Sequence, residues 1–254
     1  MKRIAVVALI AAVLLSLVAV AQADELKVLS AGIMHFALKD VGDNFTRATG
    51  TKLAITFGGA GVVKTKVEKG EPVDVVILPK PDIAALAKAG MIAPDSVHDI
   101  TRTALSIAVR KGQPKPDISS LAAVRTALLA ASTIAYYDAA AGGADGILAE
   151  HDIGRLGVAH EVGAKTKLWE SVQDAIAEKN ADLLVGWQPA LLSKAADYEF
   201  VGPLPPELQD PEHSTWTAGA ATKAADLERA KAFTQELASP ESLGLFKSKG
   251  FTPP

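Results

Sequence analysis

Phe57-Gly58-Gly59-Ala60-Gly61-Val62-Val63-Lys64 decides how the rest of this chain is read. Before it, Leu53 to Phe57 is an apolar run of strand length; after it the pattern turns helical. Three glycines at a strand–helix junction let the backbone approach something small. The N–H groups freed at the helix start point at that object, and they favour negative charge. No Gly-Lys-Ser/Thr ending follows, so the stretch is not a nucleotide P-loop. A ligand-free tight turn would use the same residues, so the reading depends on the neighbouring segments.

The chain opens with Lys2 and Arg3, an apolar run from Ile4 to Ala21, and the small-x-small ending Ala21-Gln22-Ala23. That pattern is a secretory signal peptide, residues 1–23, with cleavage expected after Ala23 and a periplasmic or secreted product. A retained anchor is the competing reading of the same run. The sequence has no cysteine, hence no disulfide and no thiol for a lipid anchor. Without Lys2 and Arg3, 24 basic residues face 29 acidic ones, a net charge of −5. An acidic chain argues against nucleic acid and against anionic lipid as partners. An anionic ligand would have to be drawn in locally, by backbone dipoles or a few placed cations.

Apolar strand-length runs and helical patterns alternate from end to end. The strands expected are Glu25–Ser30, Leu53–Phe57, Val73–Leu78, Thr103–Val109, Ser132–Tyr137, Asp182–Trp187, Glu199–Gly202 and Thr215–Ala220. Between them lie helical patterns through Leu38, Val41 and Phe45, from Val62 to Lys69, after a cap at Asp82, after Ser119 and Ser120, and from Ile147 onward. Further helices are expected over Leu168–Lys179 with Val172 and Ile176 inward, from Gln188-Pro189, and over Ala224–Leu237. This alternation predicts an α/β fold with mainly parallel sheets. The Gly/Pro-rich Lys111 to Pro116 and the proline-rich Pro203 to Pro211 divide it into two lobes. Ligands of such sheets sit at the carboxyl ends of strands. The loops to watch are therefore Ser30–His35, Gly58–Val62, Ala139–Gly146 and Gly186–Pro189, two per lobe and able to face one another.

Four passages carry a resemblance over essentially the whole chain after the leader. They are Leu29-Ser30-Ala31-Gly32, Val67 to Ile77 with its Gly70-Glu71-Pro72-Val73-Asp74 core, Asp182 to Trp187, and the tail from Phe233 to Phe251. The ensemble resembles the type II periplasmic solute-binding proteins, and within them the molybdate-binding proteins of ABC importers. The resemblance implies two α/β lobes that close on a ligand and present it to a membrane permease. It implies lobe 1 over 24–102 and 215–254, lobe 2 over 103–214, and hinge segments near 101–109 and 214–220. Molybdate binders of that family hold a tetrahedral dianion with serine hydroxyls and a tyrosine. The matching positions here fall on Ile33, on Gly59, Ala60 and Gly61, and on Gly186 or Trp187. Few of those hydroxyls carry over, and an unmatched buried polar group costs roughly 1–3 kcal/mol. The expected ligand is therefore a small anion, an oxyanion or a small carboxylate, with molybdate itself disfavoured.

The candidate ligand-binding residues are Ser30, Ala31, Gly32, His35, Gly59, Ala60, Gly61, Tyr137, Gly142, Gly143 and Trp187. Asp138 reads as a turn residue, and Lys64 and Lys66 as a solvated helix face. His151, Asp152, His160 and Glu161 fit no compact metal spacing, so neither a metal nor a cofactor is expected. The favoured function is a monomeric, non-enzymatic solute-binding protein for an importer, or alternatively for a sensor. The rival is a secreted hydrolase of anionic substrates. It lacks a Gly-x-Ser-x-Gly elbow, any cysteine, and a histidine near a Ser/Asp pattern.

Overall fold

The structure is a computed structural model and describes residues 25–170, 174 and 177–254. The leader with its expected cleavage point, and the inward positions expected at Val172 and Ile176, lie outside the described residues. Two five-stranded sheets organise the chain. In the first, β1 (Glu25–Ala31) pairs parallel with β2 (Lys52–Gly58) and β3 (Val75–Pro79). β10 (Thr215–Ala220) then runs antiparallel to β3 and to β4 (His98–Arg102). In the second, β6 (Ile134–Tyr137) pairs parallel with β7 (Thr166–Trp169) and β8 (Leu183–Trp187). β5 (Leu105–Arg110) is antiparallel to β8 and to β9 (Tyr198–Pro203). The chain leaves the first sheet after Arg102 and enters the second at Leu105; it returns between Pro203 and Thr215. This is the two-lobed α/β architecture of type II periplasmic binding proteins.

The sheets are mixed rather than mainly parallel, and the crossings supply the reason. A strand that arrives from the other lobe starts at the side facing that lobe. It must run away from it, against the parallel strands that end there. β5 and β10 are those two strands, and their first residues lie where the parallel strands finish. Thus Leu105 is level with Trp187, and Trp216 with Pro79.

Helices cover the sheets with apolar faces set by their periodicity. α1 (His35–Thr49) buries Leu38, Val41 and Phe45 and ends at Gly50, whose φ of 77° suits glycine and whose N–H donates to Thr46 O at 2.8 Å. α2 (Ala60–Glu68) follows the glycine turn and buries Val63 and Val67. α4 (Leu121–Ala130) is capped by Ser120, whose Oγ accepts from Ala123 N at 3.2 Å. α5 (Ala144–Arg155), α6 (Ala159–Gly163) and α7 (Gln188–Leu192) complete the second lobe's described helices. α8 (Leu227–Leu237) and α9 (Pro240–Ser248) return to the first lobe, capped by Asp226 and Ser239.

Three expectations change. Asp82 is not a cap: α3 (Lys80–Lys88) begins two residues earlier with Pro79 at the cap position. Asp82 instead takes Lys64 Nζ at 3.0 Å, so Lys64 pairs with its neighbouring helix rather than standing free on a solvated face. Leu168 and Trp169 belong to strand β7, not to a helix, because hydrogen bonding to β6 decides a four-residue segment that periodicity cannot. β4 and α6 are short elements that the sequence pattern did not separate from loops.

Asp74 ties the first lobe together. It is 4% exposed, its Oδ2 accepts from Lys27 N and its Oδ1 from Ala225 N, both at 2.8 Å. Asp74→Ala leaves two backbone donors without a partner and is expected to lower unfolding stability by about 2–4 kcal/mol. Urea denaturation checks this; an Asp74→Ala midpoint equal to wild type would refute the role.

Candidate functional site

The carboxyl ends of β1, β2, β6 and β8 and the starting end of β10 surround one cavity between the lobes. It measures about 690 Å³ with its open mouth included. From the first lobe come Ala31, Gly32, Ile33 and Phe36 of the β1–α1 turn, Gly58, Gly59 and Ala60 of the glycine turn, and Trp216. From the second come Tyr137, Gly143, Ala144, Asp145, Trp169, Trp187, and the α7 segment through Lys194. All three tryptophans of the chain are in this wall.

Of the residues singled out in the sequence, Ala31, Gly32, Gly59, Ala60, Tyr137, Gly143 and Trp187 line the cavity. Ser30 does not. It is fully buried inside the first lobe and its Oγ donates to Ala31 O at 3.2 Å, because the strand alternation turns it inward. His35 is exposed, edge-on to Phe57 at 5.3 Å; the next residue, Phe36, takes the place in the wall. Gly61 and Gly142 stand at the rim, outside the wall. Asp138 is a turn residue, its Oδ1 accepting from Ala140 N at 2.9 Å.

At the rim the two lobes touch backbone to backbone. A Cβ placed on Gly59 would lie 2.6 Å from Ala141 O and 2.9 Å from Gly142 O, from the opposite lobe. Gly59 itself has φ −57° and ψ 142°, a conformation open to any residue. The glycine is thus required by the opposite lobe and not by its own turn. Gly143 is equally constrained, since a Cβ there would lie 2.2 Å from the Tyr137 ring.

Asp145 was not anticipated. It is half-buried at the first turn of α5, with one face on the cavity. The backbone N–H groups of Asp145, Trp187 and Gly146 favour its charged form. Burial outweighs that influence and pushes the carboxyl up to about 6. Burial, then the Asp145 charge, also pushes the Tyr137 hydroxyl up. Lys194 is the cationic side chain of the wall; it is 8% exposed, its Nζ donates to Glu178 O at 2.6 Å, and desolvation pulls it down. The remaining surface is aromatic, aliphatic or small, with a hydroxyl at Ser193. Trp169 and Trp216 are 4% and 1% exposed, and their indole nitrogens have no hydrogen-bond partner among the described residues. The Trp187 and Trp216 rings meet edge to face at 6.0 Å.

Two lobes enclosing a cavity built from strand ends define a solute-binding protein. Residues 26–252 match the bacterial extracellular solute-binding proteins, and the chain belongs to that family. It is 29% identical over 236 residues to an aconitate isomerase of Pseudomonas sp., covering 90% of this chain and 87% of that protein. Among solved structures, the periplasmic molybdate-binding protein of Azotobacter vinelandii superposes with a TM-score of 0.73 at 20% identity, covering 90% of this chain and 99% of that one. L-phospholactate-bound PEB3, a Campylobacter jejuni protein, superposes with a TM-score of 0.63 at 19% identity, covering 90% and 100%.

Two predictions follow from this geometry. Gly59→Ala keeps the fold but obstructs the rim; an unchanged Tm with a larger radius of gyration by small-angle scattering is expected, and unaltered scattering would refute it. The raised Asp145 carboxyl binds its proton more tightly folded than unfolded, so its contribution to stability is complete below pH 4 and is lost as pH rises through about 6. Asp145→Asn should remove that loss, roughly 2–3 kcal/mol across the interval. Parallel pH–stability curves for the two proteins would show the carboxyl titrates normally.

Proposed function

We propose that this protein captures a small organic anion in the interlobe cavity and delivers it to an ABC-type importer after signal-peptide cleavage at Ala23. In this reading the lobes are 24–102 with 215–254, and 103–214. They bend about the two crossings, within or beside the segments 101–109 and 214–220. The observation that carries the ligand class is the composition of the wall. Anion attraction comes from the β1–α1 turn, from the start of α2 at Ala60, and from Lys194. Most of the remaining contact surface is aromatic or aliphatic, and its hydroxyls, those of Tyr137 and Ser193, stand at none of the positions matched to a molybdate site. A bare tetrahedral oxyanion has no apolar surface to place there, whereas a carboxylic acid has both parts. The docking faces for a permease or a sensor carry no comparable mark, so the importer rests on family membership.

A second reading is favoured by Asp145 and by the aconitate isomerase relative. A carboxyl poised near neutrality beside a bound unsaturated acid can take a proton from one carbon and return it to another, with the double bond shifting between them. The proton removed equals the proton returned, and no cofactor is needed.

A thermal-shift screen with succinate, fumarate, citrate, tricarballylate, the two aconitates, molybdate and sulfate tests the binding reading. Stabilisation of roughly 2.7 kcal/mol is expected for a ligand at a hundred times its Kd. A response to molybdate or sulfate alone would overturn the organic-anion assignment. Proton NMR of each stabilising acid in deuterated buffer tests the second reading; no isomer formed and no deuterium incorporated would leave binding alone.

A further inference from the structure

We propose that ligand capture is proton-coupled: the organic anion enters the interlobe cavity together with one proton from the medium, which neutralises Asp145 against the incoming carboxylate. This rests on the reading that the cavity holds an organic anion, and it names the group that governs affinity there.

Asp145 lines the same cavity as Lys194 and the first lobe's turns, and it keeps exposed surface. A site that draws in an anion thus carries an acid of its own. Around that acid, β6 brings the Tyr137 hydroxyl and α7 brings Lys194. β7 and β8 bring Trp169 and Trp187, and the first lobe brings Phe36 and Trp216, four side chains that do not titrate. Glu150, the next acid along α5, is exposed. No charged side chain among the described residues sets the state of Asp145, which answers to burial and to backbone N–H groups. Lys194 responds first to its own desolvation and then to the charges of Asp197, Glu178 and Lys179.

An anion in this cavity brings a second negative charge to the wall that holds the first. That wall is largely apolar, so the two charges are screened less than in water. Like charges sharing a site push one of the two carboxyls toward its protonated form. Asp145 is the one that takes the proton, because it already titrates at about 6, above the range of an exposed carboxylic acid. The step forms one O–H bond, between the Asp145 carboxylate and a proton given up by the buffer acid, and breaks no bond in the ligand. The neutral carboxyl can then donate to a ligand oxygen that the ionised one would repel. Affinity for an acid fully ionised at neutral pH therefore falls as pH rises above about 6, by up to roughly tenfold per pH unit.

The test is calorimetric titration of the whole protein with fumarate, succinate and trans-aconitate at pH 7, each ionised there, in buffers of different ionisation enthalpy. The dependence of the heat on buffer counts the protons taken up. The expected count is roughly 0.5–1 per ligand in wild type. In Asp145→Asn it should be near zero, with a Kd that no longer changes with pH. A wild-type count near zero, or an equal count in Asp145→Asn, overturns this proposal and leaves the cavity as the ligand site. Should Asp145→Asn fail to fold, the Asp145 carboxyl-carbon resonance of the wild-type protein is followed against pH, with and without the acid that binds. Its midpoint should rise by about one pH unit or more on saturation, and an unmoved midpoint overturns the proposal. Binding by none of the three acids overturns the organic-anion reading and this proposal with it.

Discussion

Backbone meeting backbone across the rim, Gly59 against Ala141 and Gly142, is the constraint on which the site depends. Two lobes can enclose a small volume only if nothing projects where their edges touch. The glycine turn and the Ala139–Gly143 loop supply edges with no side chain larger than a methyl, and Gly142 at φ 78° bends its loop back on itself. The bulky residues stand one layer further in, where they form walls instead of obstructions. Gly59, first read as part of an anion cradle, thus has a second duty that the cradle reading does not contain.

The crossings between lobes determine which side chains reach the cavity. Parallel strands bring their final residues, and the loops that follow, to the cleft, as the general rule for such sheets requires. The two strands that enter from the opposite lobe bring their first residues instead. Trp216 reaches the wall by this route, and Leu105 is held level with Trp187 by the antiparallel pairing of β5 and β8. A search confined to loops after strands passes over such residues. Both crossing strands are also hydrogen-bonded on each side within their sheets, which makes them rigid supports for what they carry.

The electrostatics of the cavity is set as much by what has been used up as by what remains. A helix start attracts anions, but the first turn of α5 already carries the Asp145 carboxylate, whose charged form is favoured by the backbone N–H groups of Asp145 and Gly146. In the proposed function, that leaves the first lobe's turns and Lys194 to draw an anion in. It leaves the second lobe with an acid held near neutrality and an aromatic wall. Such a surface suits an organic acid that presents oxygens in one direction and hydrocarbon in another.

Much was legible in the sequence, because it rests on local physics. The alternation of strands and helices, the helix stops at Gly50, Gly70 and Gly90, the Ser120 cap and the four loops at strand ends each depend on residues within a few positions of one another. Ala31, Gly32, Gly59, Ala60, Tyr137, Gly143 and Trp187 could be found from those loops for the same reason. The inward turn of Ser30, the replacement of His35 by Phe36, and the strand at Trp169 depend on which neighbour each segment packs against. Asp145 shows the same limit: an acidic residue in a first helical turn is ordinary, and only its desolvation between the packed segments makes its proton hard to remove. The sequence determined the elements and the composition of the loops, since backbone preference and periodicity act over short spans. The tertiary structure decided which residues share one cavity, since the direction of a crossing strand, the desolvation of a carboxyl and the pairing of a buried N–H are set by contacts between segments a hundred residues apart.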